Sequence, residues 1–163
     1  FPVLTAALYG PVPEALETLQ QIATASESGI LNPLYNDKDG PSLTFLTELL
    51  AQPFCMAWCL LREHRPLAAV WYQCHSDCAE IIDLRVRRDE RRNGLATRLL
   101  KASFDTLDGV EKVILEVRAG NTAARALYER MGFQTVGHRA EYYSTSQGRE
   151  DALLMSMLLH EAQ

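Results

Sequence analysis

The 163-residue sequence lacks the features that mark several large classes of protein. No apolar run is long enough to cross a bilayer, so no membrane partner is expected. No secretory leader is read at its start, which is Phe1 rather than Met and leaves the N-terminus open to trimming. No Gly-Lys-Ser/Thr follows a glycine loop, which speaks against a P-loop, and no Gly-x-Gly-x-x-Gly dinucleotide loop is present. Cysteine is scarce. The four residues fall as Cys55-x-x-x-Cys59 and Cys74-x-x-x-Cys78, one residue wider in each half than the usual zinc knuckle and in apolar, strand-like text. Buried reduced thiols are the expectation, with no metal. No cysteine has the His/Asp retinue of a thiol nucleophile, and His64, His75, His138 and His160 show no ligand spacing. Basic residues are outnumbered, and the net charge of −5 argues against nucleic-acid binding while suiting a basic protein tail. What remains, 47% apolar and 23% charged, is an ordinary globular composition, read as one domain over residues 1–163 with a cytoplasmic location.

The chain is organised around Arg91-Arg92-Asn93-Gly94-Leu95-Ala96. Upstream, residues 79–86 read as a strand. Downstream, Leu95, Leu99, Leu100 and Leu107 recur at helical spacing. Gly94 has no Cβ to block a ligand. The helix start adds unpaired N–H groups and a positive dipole end, a combination that binds phosphate. Arg85, Arg87, Arg88, Arg91 and Arg92 crowd the same turn. The plainer alternative is a strand–turn–helix with a solvated basic turn.

In chain order, a short strand near Val3–Leu8 is followed by a helix from Pro13, with Leu16, Leu19 and Ile22 on one face. Residues 30–41 are dense in turn formers and read as a loop, a candidate lid over a substrate. Ser42 caps a second helix with Phe45, Leu46, Leu49 and Leu50 facing the core. Residues 54–61, 67–73 and 79–86 form an antiparallel meander. After the central helix comes a strand over 111–119, a helix capped by Asn121 or Thr122 and stopped at Gly132, and a final strand pair, 133–143 and 151–159. Residues 144–150 are read as the turn between them.

Glu116 interrupts Val113-Ile114-Leu115-Glu116-Val117. A carboxylate is costly to bury unpaired, so it is read either as a general base or as a salt-bridged structural acid, with Arg118 as partner. Tyr128 lies on the apolar face of its helix, where an aromatic is either core or a positioned hydroxyl. Asn121 lies two turns earlier on roughly the same face.

The loop Arg91-x-x-Gly94-x-Ala96 resembles the acetyl-CoA pyrophosphate loop of the GNAT N-acetyltransferases. Leu115-Glu116-Val117-Arg118-Ala119-Gly120-Asn121, Ala126-Leu127-Tyr128-Glu129, Gly132-Phe133, Tyr142-Tyr143 and Gly148-Arg149-Glu150-Asp151-Ala152 resemble the RimI-like branch, which acetylates the N-terminal alanine of ribosomal proteins. The resemblance covers about Ile81 to Leu158. It implies an α/β fold: a mixed, mostly antiparallel sheet with helices on both faces, in which parallel strands ending at Val86 and beginning near Val113 splay to hold the pantetheine arm. It implies an enzyme that moves acetyl from acetyl-CoA directly to a protein α-amino group, without a metal. Glu116 would be the general base and Tyr128 the general acid for the CoA thiolate. Asn121 would contact the cofactor, as would the backbone of Leu84, Arg85 and Val86 and the loop Arg91, Arg92, Asn93, Gly94, Leu95, Ala96 and Thr97. Ala96 stands where a second Gly is commoner. Glu141 precedes the tyrosine pair where the branch often has an uncharged residue, and loop 30–41 lacks the branch's aromatic-Pro-Trp text. The acceptor therefore stays open: a protein N-terminus, or a lysine, polyamine or other small amine, with a non-catalytic acyl-CoA-binding module as a further alternative.

Overall fold

The computed structural model describes residues 3–4, 17–36 and 40–159. The chain forms two compact units: Phe1–Gln73 with Ile82–Thr106, and Cys74–Ile81 with Leu107–Gln163. Among the described residues no helix is long and apolar enough to cross a membrane.

In the first unit the strands run in the order β1 (Val3–Leu4), β2 (Glu17–Ile22), β3 (Cys55–Arg62), β4 (Arg65–His75), then residues 82–86 of β5 (Cys78–Val86). β2 corrects the expected first helix. Leu19 and Ile22, spaced like helical neighbours, lie on a strand whose partners are Leu60 and Ala57 of β3. An odd spacing puts them on opposite faces of the sheet. Both are buried, but only Ile22 belongs to the cluster formed with Leu31, Leu34, Leu46, Ala69 and Trp71. A strand buried on both faces thus imitates a helical stripe. The part of the predicted helix before Glu17 lies outside the described residues, as does most of the first predicted strand.

The first helix, α1, is a single turn at Ala25–Ser28, capped by Thr24. A 3₁₀ segment follows at Gly29–Leu34, with Leu31 and Leu34 buried. Residues 30–34 of the predicted loop are therefore packed chain. Ser42 caps α2 (Leu43–Leu49) by accepting from the Phe45 N–H at 3.1 Å. Leu46 is buried as expected, whereas Phe45 is exposed and faces solvent. The β3–β4 connection is tighter than the sequence suggests: Arg62 pairs with Arg65 across Glu63 and His64, both at positive φ. Helix α3 (Leu95–Phe104) buries Leu95, Leu99, Leu100 and Ser103. The Ser103 hydroxyl lies 2.6 Å from that of Tyr72.

In the second unit the order is β5, β6 (Lys112–Arg118), β8 (Gly148–Leu158), β7 (Gln134–Thr145). β5 and β6 are parallel, with register from Cys78↔Lys112 to Ile81↔Leu115. The other pairs are antiparallel. Along β6, Val113, Leu115 and Val117 are buried, while Ile114 and Glu116 are half-exposed and Lys112 and Arg118 exposed, as the period-2 pattern requires. Helix α4 (Thr122–Met131) opens on Asn121, whose side chain accepts from the Ala124 N–H, and ends at Gly132 with φ of +111°. The last hairpin is longer than predicted: pairing continues to Thr145↔Gly148, so only Ser146 and Gln147 turn.

Candidate active site

The first unit holds the predicted phosphate loop. Gly94 caps α3 at φ of +74°, no side chain caps the helix, and a Cβ on Gly94 would meet nothing within 4 Å. Arg92 also has positive φ, +69°. Left-handed residues on either side of Asn93 make the kind of turn that exposes backbone N–H groups, and the first amides of the helix have no partner inside it. That cradle fits a diphosphate. The side chains around it are partly engaged elsewhere. Arg87 pairs with Asp89 at 2.8 Å, Arg91 donates to the Val86 carbonyl at 3.3 Å, and Arg98 pairs with Glu17 at 2.7 Å. Leu95 is buried as the first core residue of α3. Of Leu95, only the backbone is suited to meet a ligand.

Arg85 is placed differently from the other predicted residues. Its side chain is 7% exposed. The guanidinium lies 4.3 Å from the centre of the Tyr35 ring and 3.8 Å from Asp83 Oδ1, and it donates to the Leu34 carbonyl at 3.4 Å. Trp71 Nε1–H donates to the Tyr35 hydroxyl at 2.8 Å, and that hydroxyl donates to Asp83 Oδ2 at 2.8 Å. Burial, reinforced by the Asp83 charge, pushes the Tyr35 phenol far up, so it remains a neutral donor. Leu34, Tyr35 and Pro41 are thus tied to β5 through Arg85. The contact expected of Arg85 concerns its backbone, and its side chain is committed elsewhere. Beside it an open groove of about 920 Å³ has Ile30, Leu34, Pro66 and Val86 in its walls and Arg65, Arg88 and Arg91 along its lining.

The second unit holds Glu116, Asn121 and Tyr128. The Glu116 side chain is 22% exposed. Arg139 is its ion-pair partner rather than Arg118, with Nε 3.6 Å from Oε1. On the other oxygen, the Tyr143 hydroxyl donates to Oε2 at 3.3 Å. Burial first, then the Glu116 charge and this hydrogen bond, push the Tyr143 phenol up to about 12. Tyr143 therefore stays protonated at neutral pH. Tyr128 is 7% exposed and meets Phe133 edge-on, with ring centres 5.5 Å apart. Asn121 is exposed, with one side of its amide occupied by the helix cap.

Sequence reasoning placed Tyr143 in a stretch bearing on the acceptor but gave it no contact with Glu116, and it did not identify Arg139. The Tyr142-Tyr143 pair was visible, but which tyrosine reaches β6 depends on a bulge in β7. Between Arg139↔Ala152 and Tyr143↔Glu150, three residues of β7 oppose Asp151 alone. Glu141 takes φ of +51° there, and its N–H donates to Asp151 Oδ1 at 2.9 Å.

Comparison with known proteins gives a consistent result. The profile of the Acetyltransferase (GNAT) family matches residues 16–133. The [ribosomal protein bS18]-alanine N-acetyltransferase of Escherichia coli K12 is 45% identical over 83 residues, 50% of this chain and 56% of that protein. An N-alpha-acetyltransferase of Saccharolobus solfataricus is 38% identical over 79 residues, 47% of this chain and 46% of that one. These matches span about half the length of the curated relatives. The crystal structure of the ribosomal-protein-S18-alanine N-acetyltransferase from Escherichia coli superposes with a TM-score of 0.81 at 29% identity, covering 90% of this chain and 96% of that one.

Proposed function

The chain belongs to the GNAT acetyltransferase family, and we propose that it transfers acetyl from acetyl-CoA to the α-amino group of a protein N-terminus. A ribosomal protein beginning with alanine is the leading acceptor. The observation that carries this reading is the Glu116 carboxylate. It is held half-exposed inside an apolar strand by Tyr143 and Arg139, in a chain similar to enzymes named for that acceptor.

An α-amino group loses its proton near ~7.7–8.0, against ~10.4 for lysine, so a modest base suffices near neutrality. Glu116 is that base: the acceptor's N–H bond breaks and the proton passes to a carboxylate oxygen, directly or through one water. Tyr128 is the acid for the departing thiolate. Acetyl-CoA supplies the activated thioester and is used in a ternary complex. Its pyrophosphate is held by the backbone amides of Arg91 to Thr97, its acetyl and pantetheine part by the backbone of Leu84, Arg85 and Val86, with Asn121 as a further contact. The Arg85 side chain, committed to Tyr35 and Asp83, takes no part.

The test is mass spectrometry after incubation with acetyl-CoA and three acceptors: an alanine-initiated peptide, an N-blocked lysine peptide and spermidine. Acetylation of the α-amine is expected, and Glu116→Gln should lower turnover about 10²–10⁴-fold with acetyl-CoA affinity retained. Acetylation of lysine or spermidine alone would overturn the acceptor. Wild-type turnover in Glu116→Gln would overturn the base.

A further inference from the structure

The two contacts on Glu116 differ in kind. Tyr143 makes a hydrogen bond to Oε2. Arg139 Nε, at 3.6 Å from Oε1, is beyond hydrogen-bond distance, and the Arg139 side chain is 55% exposed. Its guanidinium carbon also lies 5.2 Å from the centre of the Tyr142 ring. That ring is itself half in water and stands edge-on to Tyr143 at 88°. One carboxylate oxygen, one exposed aromatic face and a phenol alongside are the parts of a site for an organic cation. In the free chain the cation comes from the chain itself. The bulge that raises Glu141 to positive φ brings Arg139, Tyr142 and Tyr143 to the same place, and Arg149 braces it by donating to the Glu141 carbonyl at 3.1 Å.

We propose that this is where the acceptor's ammonium group binds, and that Arg139 is a placeholder which the acceptor displaces. The proposal rests on the reading of Glu116 as the group that receives the acceptor's proton. One oxygen and one ring face cannot serve two cations at once. The guanidinium can leave cheaply, because it is held by charge and a ring face and the side chain that carries it is more than half in water. The exchange keeps the count of charges: one cation goes to solvent as another arrives, so the half-buried carboxylate is never left without a counter-charge. An acceptor that enters as the neutral amine gains nothing from the exchange. The device therefore favours amines that arrive protonated, and it weakens every acceptor by the strength of an internal competitor. Arg139 is a specificity-determining residue on this view, with no bond to the reacting atoms.

The test uses methylguanidinium as a probe of the vacated site, together with steady-state kinetics on an alanine-initiated peptide. In Arg139→Ala, methylguanidinium should bind about three- to tenfold more tightly than to the wild type, the scale of one exposed ion pair with one cation–π contact. The KM for the peptide should fall by a similar factor, with acetyl-CoA affinity unchanged. Adding Glu116→Gln to Arg139→Ala should abolish methylguanidinium binding. Arg139→Lys should keep the wild-type KM. Equal methylguanidinium binding in wild type and Arg139→Ala overturns the proposal, as does a peptide KM that is unchanged or higher. If Arg139→Ala does not fold, Arg139→Gln replaces it in every arm. A Glu116→Gln protein with full turnover would instead remove the base assignment, while the methylguanidinium titration would still decide whether Arg139 fills a cation site.

Discussion

The Tyr143 hydroxyl donates to Glu116 Oε2 at 3.3 Å, joining the last hairpin to the strand that carries the proposed base. The bond is made by a neutral phenol, since burial and the adjacent carboxylate raise its pKa to about 12. A raised folded-state pKa means that the protonated form is favoured by folding. Its contribution to stability is present in full below the unfolded value of ~10 and is lost as pH rises through about 12. Urea unfolding of wild type and Tyr143→Phe at a series of pH values should therefore show a stability difference that is constant below ~10 and shrinks over that window. A difference independent of pH up to about 12 would contradict the assignment.

Tyr128 is buried against Phe133, so Tyr128→Phe keeps the ring and removes only the hydroxyl. Turnover of the alanine-initiated peptide should fall about 10²–10⁴-fold, the size of a lost general acid, at unchanged acetyl-CoA affinity. Wild-type turnover would leave Tyr128 a packing residue.

Gly94 has open space where a Cβ would stand and a left-handed φ of +74°. Gly94→Ala costs roughly 1 kcal/mol of local strain and puts a methyl into that space. Gly94→Val adds a branched chain that is disfavoured in this conformation and should remove measurable acetyl-CoA binding by calorimetry. Unchanged heats in Gly94→Val would refute the phosphate cradle.

Tyr35 joins Trp71, Asp83 and Arg85 in one buried network. Tyr35→Phe removes the partner of the Trp71 N–H and the donor to Asp83 while keeping the ring under Arg85. A loss of about 1–3 kcal/mol in urea unfolding is expected, because polar groups would stay buried without this hydroxyl. A loss below ~0.5 kcal/mol would show that the network is dispensable.

Much of the fold was legible because its signals are local. Gly94 before an apolar helix, Asn121 and Gly132 at the ends of α4, and Ser42 before α2 each act through backbone atoms a few residues away. The alternation around Glu116 likewise needs only the pleat of one strand to leave an acid half-exposed between buried neighbours. β2 was misread because Leu19 and Ile22 enter separate core layers, and the sequence does not say how many faces a strand buries.

The sequence by itself thus determined most of the elements, the Gly94 turn before α3 and the acid in β6, since hydrogen bonding within a turn and side-chain periodicity depend on near neighbours. Only the tertiary structure decided what meets the carboxylate. Arg139 and Tyr143 lie 23 and 27 residues from Glu116, and a bulge in β7 sets which side chains reach it. The same holds for Arg85, whose charge is buried under Tyr35 from a segment 50 residues earlier. Contacts of that separation are fixed by strand register and packing, which no short stretch of sequence encodes.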